Sequence, residues 1–175
     1  VDHLLSTTRA VRKRLDLTRP VPRDLILDCI RLATQAPAGQ NIQKWRWIVV
    51  DDPKVKAGLA ELYRKAYQPY IDYQKKVVEK VGRSDASGIM ESSDYLAQVL
   101  EQVPALVIPC GLDRVSTDAI PANFAGYYGS LLPAVWSFML ACRSRELGTA
   151  YTTLHLNYEK EAAELLGIPD TDRKS

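Results

Sequence analysis

Histidine is nearly absent from this sequence, cysteine is scarce, and neither sign of charge dominates. Two histidines, His3 and His155, are too few to support a histidine-based metal site. Three cysteines, Cys29, Cys110 and Cys142, stand far apart among apolar residues. Their odd number and spacing favour buried reduced thiols over a disulfide framework or a metal cluster. The net charge is +2, from 23 Lys and Arg against 21 Asp and Glu. That balance argues against nucleic acid or a membrane surface as the main partner. No apolar run approaches the roughly 18 residues of a spanning helix, and the start lacks a basic-then-apolar leader, so a cytoplasmic location is the default expectation. A Gly-x-Gly-x-x-Gly fingerprint is also missing, which excludes a dedicated Rossmann site for a dinucleotide.

What is present is an ordinary globular composition, 46% hydrophobic and 25% charged, in 175 residues that read as one domain. Asp2 or Ser6 can cap a first helix that carries Leu4, Leu5, Val11 and the basic run Arg9 to Arg14. Pro20 and Pro22 break it. From Pro22 the apolar set Leu25, Ile26, Cys29, Ile30, Leu32 and Ala33 recurs at helical spacing as far as about Gln35. Trp45 to Val50 reads as a strand, and Asp52-Pro53 opens a long helix reaching toward Lys80. A mobile break is expected over Gly82 to Gly88, then a helix near Ser93 to Glu101. Ala105 to Cys110 is apolar enough for a strand inside a sheet. Ala125 to Cys142 has almost no polar face and reads as a central buried helix. Gly148 to Leu154 reads as a short strand or extended turn, and Tyr158 to Leu166 as a helix ending at Gly167 and Pro169. Few strands among many helices make the class α+β.

Three segments could carry chemistry. In the first, Arg9, Arg12 and Lys13 share a helical face by their spacing. Two guanidiniums there could clamp a phosphate, or the face could be merely solvated. The second, Ala36 to Gln43, joins a helix to a strand. Its Pro and Gly allow close approach to a flat ligand, and Asn41 and Gln43 offer donor-acceptor edges suited to a uracil-like ring. The same residues could equally serve only the connection. The third, Gly148 to His155, can turn backbone N–H groups toward a ligand, and His155 is either a proton donor or a structural residue. Tyr127, Tyr128, Trp136 and Phe138 read as core or dimer contacts in preference to a flavin stack.

Taken in order, these segments resemble the nitroreductase family of FMN enzymes. The resemblance rests on Arg9-Ala10-Val11-Arg12, on the proline pair, and on Ala36-Pro37-Ala38-Gly39-Gln40-Asn41-Ile42-Gln43-Lys44-Trp45. The third match is the apolar helix running into Leu147-Gly148-Thr149-Ala150-Tyr151. It covers residues 6 to about 170, and the middle block is the most specific. It implies an α/β sandwich, a mixed sheet flanked by helices, in an intertwined homodimer holding FMN at its interface. Arg9, Ala10, Val11 and Arg12 would then meet the phosphate and the pyrimidine edge. Pro37, Ala38, Gly39, Asn41 and Gln43 would line the flavin, in part from the partner subunit. Thr153, Leu154 and His155 would lie beside the ring. NADH or NADPH would bind transiently, a small acceptor such as a nitroaromatic or quinone would follow, and no catalytic side chain is required.

The sequence departs from the family pattern in places. Ala10 and Ala38 replace common serines, and Thr8 stands where many members have arginine; each change removes a hydrogen-bonding group, so FMN would be held either less tightly or by more backbone contacts. Members usually continue with another strand and tail after the last helix. Here Thr171 runs into Asp172-Arg173-Lys174-Ser175, so an omitted stretch before Asp172 is expected, because a core missing a strand exposes an apolar edge. Three other readings stay open: a dehalogenase or flavin-fragmenting enzyme of the same fold, an FMN storage protein, and a flavin-free module for acidic ligands.

Overall fold

The computed structural model describes residues 1–82, 86–112, 115–116 and 118–169. Six α-helices and two strands follow in the order α1 (Asp2–Thr7), α2 (Arg23–Ala33), β1 (Trp45–Val50), α3 (Pro53–Val81), α4 (Ala86–Val99), β2 (Leu106–Gly111), α5 (Pro121–Arg143) and α6 (Glu159–Leu165). Short 3-10 turns occur at Gly39–Asn41, Leu100–Gln102 and Leu154–Tyr158. The α+β class is as expected.

The strands pair antiparallel, with Trp45 opposite Gly111 and Val50 opposite Leu106. Alternation along β1 then sends side chains to two different cores. Trp47 and Val49 pack with Val107 against Ile26, Cys29 and Ala33 of α2 and Phe138, Ala141 and Cys142 of α5. Ile48 and Val50 pack with Leu106 and Ile108 against Leu59 of α3 and Ala162 of α6. A further core joins α3 and α4 through Tyr63, Tyr67, Ile71, Leu96 and Ala97. Local signals explain the element limits. The Asp52 carboxylate accepts from the Lys54 and Val55 N–H groups and caps α3, which ends at Gly82 with φ 66°. Helix α6 gives way to Gly167, also at φ 66°.

Several expectations need correction. Helix α1 does not reach the arginines: it ends at Thr8, whose backbone is extended at φ −67° and ψ 127°. The Thr7 and Thr8 hydroxyls donate back to the His3 and Leu4 carbonyls, at 2.5 and 2.6 Å, and close the helix there. Arg9, Arg12 and Lys13 therefore share no helical face. Neither Asp2 nor Ser6 is the cap; the N-cap is Val1 and Ser6 bonds the Asp2 carbonyl from within the helix. Helix α4 begins at Ala86, seven residues before the expected start, so Ser87 and Gly88 are helical, and residues 83–85 of the expected break lie outside the described residues. The expected omission before Asp172 also falls outside them. Strand β2 is not enclosed: all its residues are only half-buried, since it pairs with β1 alone among the described residues. Helix α5 is buried only over its second half, at Ala134, Val135, Phe138, Ala141 and Cys142. Tyr128, Leu132 and Trp136, four residues apart, are 48%, 42% and 42% exposed. The thiols are all free, with Cys29 and Cys142 adjacent between α2 and α5 and burial pushing the Cys142 thiol well up.

Lys56 is the charged residue inside this packing. Its Nζ donates to the Val103 carbonyl at 2.7 Å and to Pro104 at 3.5 Å, pinning α3 to the turn before β2. Replacing Lys56 with Ala removes that donor and strands a buried carbonyl. Urea denaturation should show a loss of about 1–3 kcal/mol, the cost of an unsatisfied buried polar group.

Candidate functional site

The arginine segment takes its conformation from a distant part of the chain. With α1 closed at Thr8, the next residues lie in no helix, and the Val11 N–H donates to the Thr149 carbonyl at 2.9 Å. The first and third predicted segments thus lie side by side. Gly148 permits the approach: a Cβ there would lie 3.0 Å from Val11 Cγ1 and 3.2 Å from Leu15 Cδ2. Ala150 and Leu154 rest with Leu15 on the α3–α4 core, so the pair of segments has a packed floor.

On this floor Val11 and Arg12 are half-buried, and Arg9, Ala10 and Thr153 are exposed. The Arg9 guanidinium donates to the Thr8 carbonyl at 2.8 Å, and Arg12 donates to Ser92 Oγ of α4 at 3.4 Å. Neither meets a carboxylate among the described residues, whereas Lys13 is ion-paired with Glu91. His155 is half-buried, and burial pushes its imidazole below the ordinary value, so it is largely neutral at pH 7. A proton-donor role for His155 gains no support from this environment.

The second segment sits elsewhere. Ala36 is buried with Trp45 and Ala134, which seats the loop on α5 and β1. Gln40 and Asn41 both have φ 55°, and the Ile42 N–H closes the turn on the Gly39 carbonyl at 3.0 Å. The Gly39 N–H donates to Ser130 Oγ at 3.0 Å, and that hydroxyl donates to the Gly126 carbonyl at 2.7 Å. Pro37 and Asn41 are exposed and Ala38 is half-buried. Gln43 spends its amide N–H on the Thr34 carbonyl at 2.8 Å, finishing α2. No hydrogen bond or packing cluster of the described residues joins this loop to the other two segments. It borders a cleft of about 280 Å³ lined by Gln40, Ile42, Trp45, Tyr127 and Leu131. The Tyr127 ring lies against Gly111, where a Cβ would fall 2.5 Å from Cζ.

Sequence reasoning missed Ser92, Ser130 and Gly111. Ser130 and Gly111 act through contacts 91 residues away in one case and 16 in the other, and no local pattern marks them.

A model of the nitroreductase family matches residues 5–174. Iodotyrosine deiodinase 1 of Rattus norvegicus is 24% identical over 173 residues, which are 97% of this chain and 57% of that protein. The chain spans a little over half the length of the curated relatives it matches along its whole extent, 57% and 55% for two of them. Among solved structures, oxidized iodotyrosine deiodinase bound to FMN and 3-iodo-L-tyrosine has a TM-score of 0.70 at 19% identity, covering 96% of this chain and 81% of the other. An FMN-dependent nitroreductase from Mycobacterium smegmatis in complex with NADPH has a TM-score of 0.67 at 17% identity, with the same coverages of 96% and 81%. At these identities the likeness is one of fold.

The turn at Gln40 and Asn41 is strained, because left-handed backbone costs a non-glycine residue about 1–2 kcal/mol. Part of that strain is recoverable. Gln40→Gly should raise stability by about 0.5–1 kcal/mol after the extra chain entropy of glycine is deducted, read as a higher thermal midpoint.

Proposed function

Because the chain belongs to the nitroreductase family, we propose that it is an FMN-dependent oxidoreductase working as a homodimer, with NADH or NADPH reducing a small-molecule acceptor. The observation that carries this reading is the pairing of Arg9–Arg12 with Gly148–His155 through the Val11–Thr149 bond. When bound, FMN supplies the two-electron redox chemistry, taking hydride from the nicotinamide and passing electrons to the acceptor.

The residues present fit that cofactor. Arg9 and Arg12 keep N–H donors uncommitted and uncompensated by carboxylate among the described residues, as a phosphate and a pyrimidine carbonyl require. Arg9, exposed at the rim, and Arg12, half-buried beside Ser92 of α4, meet the phosphate and the ring edge together with the Ala10 and Val11 backbone. Thr153, Leu154 and His155 flank the ring. His155, held neutral, adds no charge there. The role of Pro37, Ala38, Gly39, Asn41 and Gln43 is to complete the seat of the other subunit. The exposed stripe of Tyr128, Leu132 and Trp136 on α5 supplies an apolar surface for a two-fold partner. No helix of the described residues is long and apolar enough to cross a membrane.

A second reading, reductive dehalogenation, is favoured by the deiodinase match along 97% of the chain. It keeps cofactor, donor and dimer and changes the acceptor: an aryl iodide takes two electrons and a proton and releases iodide.

The purified protein with FMN should show flavin absorbance that NADH or NADPH bleaches without oxygen. Reoxidation by a nitroaromatic or quinone without iodide release from 3-iodo-L-tyrosine supports the first reading, and the reverse supports the second. Arg9→Ala with Arg12→Ala should weaken FMN binding by about a hundredfold or more, since each charge-assisted bond carries about 1.5–3 kcal/mol; unchanged flavin retention would remove the arginines from the seat. Trp136→Glu places a charge in the proposed interface and should give a monomer in sedimentation that retains little FMN.

A further inference from the structure

Two consecutive residues of α4 meet two consecutive residues of the arginine segment. Glu91 is ion-paired with Lys13, and Ser92 Oγ lies 3.4 Å from the Arg12 guanidinium. The Ser92 hydroxyl proton is committed elsewhere, donated to the Ile89 carbonyl at 2.9 Å. Its oxygen therefore faces Arg12 as an acceptor in a fixed orientation. Helix α4 is itself fixed: Leu96 and Ala97 are buried in the α3–α4 core, and the Tyr67 hydroxyl donates to Asp94 at 2.7 Å. On the other side Arg12 lies close enough to Tyr63 for its charge to favour the ionised phenol, although burial pushes that phenol up overall.

The chemistry of the two contacts differs. Glu91 orients Lys13 and also cancels its charge. Ser92 orients Arg12 and cancels nothing, because a neutral hydroxyl oxygen accepts the hydrogen bond and brings no negative charge. We propose that Ser92 is a positioning residue that aims Arg12 at an anionic cofactor while leaving its charge intact, and that Glu91 removes Lys13 from that task. The inference rests on the FMN reading of the same site. A carboxylate in place of Ser92 would make a better partner for Arg12 and a worse seat for the anion. Stability and binding then move in opposite directions, which a purely structural role for Ser92 does not produce.

The test is an FMN titration of the apoprotein by flavin fluorescence, with thermal midpoints recorded alongside, for the wild type, Ser92→Ala, Ser92→Thr, Ser92→Asp, Arg12→Ala and the Arg12→Ala, Ser92→Ala double variant. Ser92→Ala should weaken FMN binding about threefold to tenfold, the worth of one hydrogen bond, and Ser92→Thr should restore it. Ser92→Asp should weaken binding tenfold or more while the thermal midpoint holds or rises. In the Arg12→Ala background the Ser92→Ala penalty should vanish, since Ser92 acts through Arg12. A wild type that binds no FMN fails the functional reading itself. A wild type that binds FMN overturns the proposal alone if Ser92→Ala binds as tightly, if Ser92→Asp binds more tightly, or if the Ser92→Ala penalty persists without Arg12.

Discussion

The backbone hydrogen bond from Val11 to Thr149, 2.9 Å long, fixes against each other two parts of the chain that are distant in sequence. Its consequences spread in both directions. Upstream, the Val11 N–H must be free of a helix to reach Thr149, so α1 has to stop, and the Thr7 and Thr8 hydroxyls bond back into it where it ends. Downstream, the partner carbonyl can come this close only because residue 148 has no side chain to hold Val11 and Leu15 away. Beneath both lies the α3–α4 core, into which Leu15, Ala150 and Leu154 pack. A backbone pair is an economical way to hold cations, since the side chains of Arg9 and Arg12 stay out of the joint and keep their donors.

Where a local signal decides the structure, the sequence was legible. Strand β1 runs over Trp45–Val50 as its aromatic and β-branched run requires, and α3 opens behind Asp52-Pro53 because a carboxylate at the cap satisfies the first N–H groups. Helix α2 buries Ile26, Cys29 and Ala33, three of the residues that the 3.6-residue pattern put on one face. The three segments singled out for chemistry were likewise visible as clusters of residue types. Their arrangement was not visible in the chain alone.

The misreadings share a cause, which is competition from partners distant in sequence. Arg9, Arg12 and Lys13 have helical spacing, but the carbonyl of Thr149 offers Val11 a bond that a continuing helix would forgo. Ser87 and Gly88 are poor helix formers, yet α4 includes them, since Met90 and Leu96 behind them pack on α3 and hold the turn. Helix α5 looked central because apolarity was read as burial. Apolar residues also cover surfaces meant for another molecule, and Tyr128, Leu132 and Trp136 face outward on a single stripe. Asn41 and Gln43 looked equivalent as amides, and only the fold separates them: Gln43 finishes α2, and Asn41 stays open to solvent.

The split of the site carries a thermodynamic consequence on the FMN reading. The arginine segment and the Pro37–Gln43 loop lie in different packing clusters of one chain, and on that reading a complete site would take one part from each subunit. A cofactor that touches both subunits binds the dimer better than the monomer, and by linkage it stabilises the dimer by the same free energy. Strain at Gln40 and Asn41 fits that arrangement. A loop held in a costly turn by Ser130 and Gly39 is already in its binding shape before the partner arrives, so less ordering is left for assembly. The cost of the turn is met within each chain by the packing of Ala36, Trp45 and Ala134, at the base of the loop and away from its exposed tip. Apolar burial thus fixes the shape of the loop and leaves its polar tip exposed, where on the FMN reading it would meet the partner.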